Sequence, residues 1–148
     1  MSTVTLKGRY YATLYGPDGE VKDRREGDNV VTTVGKEFLA SFLKSAVAAA
    51  STFTCNYIAV GSDATAEAIG DTGMGVELGR HTGTVSYTSG GIYNVTATFA
   101  AGSGTGAIAE YGLFSSSTGG TLLSRDTEAV ITKGASDTLT VNYTLTFS

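Results

Sequence analysis

Few side chains in this sequence could do chemistry, and each stands where its chemistry is poorly supported. There is one histidine, His81, in Gly79-Arg80-His81-Thr82, and one cysteine, Cys55, inside the apolar alternating run from Thr54 to Val60. A hydrolytic triad needs a base beside a nucleophile and a third group to orient that base, so His81 could serve one site at most. The many serines and threonines are what polar sheet faces use, and an exposed histidine is the expectation. In its apolar run Cys55 behaves as a small hydrophobe rather than a reactive thiol, and a lone cysteine leaves no internal disulfide. Two glycine-rich stretches, 70–75 and 102–106, look superficially like phosphate loops. Neither has the strand before it and the helix after it that a nucleotide loop requires, and neither has the Lys-Ser/Thr pair of a P-loop. Asp63, Glu67, Asp71 and Glu77 gather oxygens without the calcium-loop spacing. No catalytic, cofactor-binding or metal-ligating residue is assigned.

One charge is out of place. Glu110 interrupts the strand pattern Ile108-Ala109-Glu110-Tyr111-Gly112-Leu113-Phe114. Paired carboxylates for glycoside hydrolysis are one reading. A structural ion pair is favoured, because a half-buried carboxylate takes a partner and Arg125 lies on the strand expected to pair across the 115–120 hairpin. Arg80 is a second candidate partner for Glu110 or Glu77.

The elements that must position these groups read as β-structure. The chain has 148 residues, enough for one domain with its own core, and 41% of them are hydrophobic. No run approaches the ~18 apolar residues of a spanning helix, and the first residues do not form a secretory signal, so a soluble domain kept in a cytoplasm is expected, with no membrane partner. A net charge of −4 disfavours a nucleic-acid partner. Val4, Leu6, Gly8, Tyr10, Ala12 and Leu14 share one face of a first strand, and Gly16-Pro17-Asp18-Gly19 turns it into a hairpin. The charged return arm, residues 20–26, suits an edge strand or exposed ribbon. Val34, Phe38, Leu39, Phe42, Leu43, Ala46 and Val47 predict one amphipathic helix over about 34–48, capped by Thr32 or Thr33. Residues 54–60 read as a buried strand and 61–79 as a long loop. Five further strands are expected at 83–88, 91–100, 107–114, 121–132 with an interruption, and 138–147. The fold expected is an antiparallel β-sandwich or jelly-roll-like single domain, 1–148, with one helix.

Read together, several segments resemble a family of small tailed-bacteriophage virion proteins. Asn29-Val30-Val31-Thr32-Thr33-Val34-Gly35 is similar to its N-(L/V)-V-T-x-x-G motif. Tyr57-Ile58-Ala59-Val60-Gly61-Ser62-Asp63, followed by Asp71-Thr72 and Glu77-Leu78-Gly79-Arg80, is similar to its Y-(I/L)-A-(L/V)-G-(T/S) strand and acidic-basic element. Residues 108–114, Leu122-Leu123-Ser124-Arg125 and the closing strand 137–147 resemble its I-x-E-x-G-L-F, L-x-(A/S)-R and terminal segments. The sequence departs from the commoner form at Gly73-Met74-Gly75-Val76. The resemblance implies a non-enzymatic structural protein of the virion, made in the host cytoplasm. It is expected to be a capsid decoration or cement protein on the head exterior, partnered by the major capsid protein or another virion protein. A tail, baseplate or fibre-associated role is the alternative, and a carbohydrate-binding domain a more remote one. A homo-oligomer, trimer or dimer, is expected. Exposure and composition suggest partner contacts at Thr3, Thr5 and Lys7, at Asp18, Lys22, Arg24 and Arg25 in the hairpin of about 3–28, and at Asp63, Glu67 and Asp71 in the 61–79 loop. Deleting residues 62–76 is expected to abolish particle binding and leave a folded domain.

Overall fold

A computed structural model describes residues 3–45 and 54–148, with the side chains of 42–45 outside the description. Among the described residues nine strands and one helix follow in the order β1 Leu6–Tyr15, β2 Val21–Val31, α1 Thr33–Ser45, β3 Tyr57–Gly61, β4 Glu77–Thr82, β5 Thr84–Thr88, β6 Ile92–Phe99, β7 Gly106–Phe114, β8 Leu122–Lys133 and β9 Thr138–Phe147. All strand pairs are antiparallel. They form one sheet in the order β4-β3-β7-β8-β2-β1-β9-β6-β5. The sheet curls until its two halves face each other, so the fold is the expected mainly antiparallel β domain with one helix, nearly closed into a barrel.

Alternation explains the core. Tyr10, Ala12 and Leu14 of β1, Val95, Ala97 and Phe99 of β6, and Leu139, Val141, Tyr143 and Leu145 of β9 point inward. They meet Ile58 and Val60 of β3, Ile108, Tyr111 and Leu113 of β7, and Leu123 and Ile131 of β8. Val4, at the start of the same alternating run, lies beyond the sheet and is exposed.

The helix begins where the sequence marks it. Thr32 caps it by accepting from the Gly35 amide at 3.0 Å, while its own hydroxyl donates to the Leu122 carbonyl at 2.6 Å. Gly35 lets the first turn sit on β8: a Cβ there would lie 2.4 Å from the Leu123 carbonyl oxygen. The expected end of the helix, 46–48, lies outside the described residues.

Three expectations change. The charged arm becomes β2, which is interior in the strand order but joined to β8 only at Val30↔Arg125 and Val31↔Ser124. The interruption expected in 121–132 is a bulge: Ile108 faces Ile131 and Glu110 faces Thr127, so three residues of β8, 128–130, oppose Ala109 alone. Arg25 bridges the seam between β2 and this bulge, donating to the Ala129 carbonyl at 2.9 Å and the Val130 carbonyl at 3.1 Å. Half-buried and paired also with Asp23, it spans the gap in the wall. Finally, the long loop is shorter than expected, because residues 77–79 belong to β4.

Candidate functional site

The most organised polar group lies beneath the 62–76 loop, on the outer face of β7 and β8. Gly112 and Arg125 pair across these strands, as do Glu110 and Thr127. Glu110 is wholly buried and makes four contacts. Its Oε2 accepts from Arg125 Nε at 2.9 Å and from the Gly75 amide at 3.0 Å, and its Oε1 accepts from the amides of Val76 at 2.8 Å and Asp63 at 3.3 Å. The ion pair is therefore the centre of a larger clamp. Arg125 also reaches Asp71 at 3.1 Å and Asp63 at 3.7 Å. Burial opposes the charge on Arg125, but the hydrogen bond and charge of Glu110, followed by Asp71, outweigh it, and its pKa is raised. Asp63 is held below the usual carboxylate range, first by the Thr65 backbone amide.

The loop is fastened at further points. Glu67 accepts from the Thr127 amide at 3.2 Å and from its hydroxyl, and the Ile69 carbonyl accepts from the Thr33 amide at 2.9 Å, just past the helix cap. Met74 packs on Ala59, Phe114 and Leu122, so the loop covers an outer apolar cluster and β7 is buried on both faces. Gly61 leaves room for the clamp, since a Cβ there would meet Glu110 Oε1 at 2.3 Å and the Val76 carbonyl at 2.4 Å. Arg80 takes Glu77 as its partner, at 2.7 Å, not Glu110. It lies 3.6 Å over the Phe114 ring and donates to the Ser116 and Gly119 carbonyls.

This arrangement alters the expected deletion experiment. Removing 62–76 would strip Glu110 of three backbone donors and bare the apolar cluster, so the deletion would not leave an intact domain. Asp63, Glu67 and Asp71, expected as partner contacts, are engaged within the fold. Lys22 is likewise held, by Asp137 at 2.9 Å, and Arg25 lies in the seam. Thr3, Thr5, Lys7, Asp18 and Arg24 are exposed. They do not form one patch: Lys7 lies near the helix end of β1 and Asp18 beyond its other end, about 30 Å along the strand.

Other chemistry-bearing residues are placed as follows. His81 Nε2 is hydrogen-bonded to Ser103 Oγ and its ring stands edge-on to Phe99, while among the described residues no carboxylate bonds its other nitrogen. The pair thus lacks the orienting member of a triad. Burial pushes the Cys55 thiol up to about 12. Asp126, which the strand pattern did not single out, is wholly buried on the inner face opposite Tyr111, and among the described residues neither carboxylate oxygen has a partner at hydrogen-bond geometry. Burial first, then Glu128 and Glu67, push it up to about 7, and the Thr127 amide opposes the rise. Among the described residues no group of three or more acidic, histidine or cysteine side chains is arranged to hold a metal. No family model, curated protein or solved structure matches the chain.

Proposed function

We propose that the protein is a non-enzymatic structural protein of a tailed-bacteriophage virion, a capsid decoration protein that binds the assembled head and bridges neighbouring major capsid subunits. One observation carries this reading. The separated pieces on which the resemblance rests, 57–63, Asp71, 108–114 and 122–125, converge on Arg125, where their charges fasten the 62–76 loop. A loop already ordered by buried charge loses little entropy on binding, which suits a surface that makes the same contact many times across a lattice. Each copy adds its binding free energy to the closed shell.

The contacts are assigned to the exposed rim of that loop, where Ile69 and Val76 are 55% and 53% exposed, together with Thr3, Thr5, Lys7, Asp18 and Arg24. The protein acts as a homo-oligomer on the head exterior. A tail, baseplate or fibre-associated position is the alternative that the same resemblance implies. Cosedimentation of the purified protein with heads that lack it tests the assignment. Saturable binding in proportion to the capsid lattice, weakened by the pair Ile69→Asp and Val76→Asp at unchanged fold, is expected. Binding to tails alone would move the protein to the alternative, and binding to neither would refute both.

A further inference from the structure

Among the described residues strand β5 ends the sheet and pairs only with β6, in unbroken register from Thr84↔Thr96 to Thr88↔Ile92. Its other side therefore carries a row of backbone donors and acceptors with no strand of the described residues beside it. All five side chains are exposed. Two of them are out of keeping with that exposure. Val85 continues the cross-strand row of Val95 and Tyr143, and Tyr87 continues that of Tyr93 and Leu145, so both lie on the face that elsewhere forms the core. Val95 and Tyr143 are 0% exposed, whereas Val85 is 46% and Tyr87 75% exposed. The apolar face runs on to a strand that nothing in this chain's described residues covers.

Isolated edges are blunted by charge, proline or a bulge. The opposite edge, β4, has two such features: a register shift at Val60/Gly61 and the Glu77–Arg80 ion pair. β5 has none. Residues 82–109 contain no Asp, Glu, Lys or Arg, in a chain with 24 charged residues and a net charge of −4. Two copies can approach along this stretch without like-charge contact.

We propose that β5 is the docking edge for a second copy of this chain, the two β5 strands pairing antiparallel about a twofold axis at Ser86. The sequence Thr84-Val85-Ser86-Tyr87-Thr88 is self-complementary in that arrangement. Thr84 falls opposite Thr88 of the second copy and Val85 opposite Tyr87, a β-branched residue against an aromatic on one face. A C2 interface requires this self-complementarity. Two five-residue edges bury less than the roughly 1,200 Å² of a stable interface, so the dimer forms with rising concentration and is reinforced when many copies sit close together on one surface. The pairing stands apart from the virion reading: a dimer with no affinity for particles would leave it intact and remove that reading.

The test is sedimentation equilibrium across a concentration series, together with crosslinking by a short bis-maleimide of Ser86→Cys in a Cys55→Ser background. Thr144→Cys, on the outer face of β9, serves as the control. Crosslinked dimer from Ser86→Cys but not from the control is expected, with Tyr87→Lys weakening self-association at least tenfold at an unchanged circular dichroism spectrum. A monomer throughout the series, equal crosslinking at both positions, or self-association indifferent to Tyr87→Lys would overturn the proposal. So would an edge that binds only a foreign strand.

Discussion

Replacing Asp126 by Asn should stabilise the protein, and by an amount that grows with pH. The carboxyl is wholly buried and, among the described residues, without a partner at hydrogen-bond geometry, and its pKa rises from 3.8 to about 7, chiefly through burial and then through Glu128 and Glu67. Because the folded value lies above the unfolded one, the folded state holds this proton more tightly. The stability it contributes is complete below about pH 4, declines as pH rises, and is lost once pH passes about 7. At about 1.4 kcal/mol per pKa unit the full loss is about 4 kcal/mol. Asp126 lies in the barrel wall, beside the open part of the β2–β8 seam, and relaxation of the seam around the ionised group, as the effective interior dielectric of about 20 reflects, reduces the figure to about 2 kcal/mol. Asn keeps the shape of the protonated acid and does not titrate. Urea unfolding of both proteins should give similar stabilities at pH 4.5 and a variant about 2 kcal/mol more stable at pH 8. In a thermal scan at pH 8 this is a gain of roughly 5 °C. A difference that stays constant between pH 4.5 and 8, or a variant less stable than the parent at pH 8, would show that the carboxyl is not held neutral by its surroundings.

Arg125→Met should cost about 3–5 kcal/mol in urea unfolding, because Glu110 stays buried without its counter-charge, and amide exchange over 62–76 should accelerate. Glu110→Gln should release the same loop at a smaller cost of about 1–3 kcal/mol, since Arg125 keeps Asp71. Thr32→Ala removes both the cap of α1 and a buried bond to the Leu122 carbonyl, and a loss of about 1–2 kcal/mol in chemical denaturation is expected. With its thiol pushed up to about 12, Cys55 should resist iodoacetamide at pH 8 in the folded protein and react promptly in urea.

Much of the fold can be read from alternation. β9 spans the very residues that its period of two predicts, and β6 and β7 differ from expectation by a residue at their ends. The charge inside the 108–114 pattern pointed to Arg125 for the same reason, since a carboxylate on a buried strand needs a counter-charge. What could not be read depended on contacts distant in sequence. Nothing local says that Asp63 and Asp71 turn inward to Arg125, because an acidic loop reads identically whether its carboxylates are solvated or clamped. β4 was hidden because Glu77, Gly79 and Arg80 lack strand character, and only its pairing with β3 and the seat of Arg80 on Phe114 make it a strand. Arg25 looked like an exposed charge because the bulge it bridges, at 128–130, is a property of the pairing between β7 and β8. Asp126 sits at an inward position of β8, where a burial pattern predicts an apolar side chain.

The proposed role makes this chain a repeated part of a virion shell, with contacts drawn from a clamped loop. Gold-labelled antibody imaging of purified particles from the source, with copy number from stained gels, tests it most directly. Dense labelling over the heads at hundreds of copies per particle is the predicted result. Label confined to tails at a few to tens of copies, or particles without label, would contradict it.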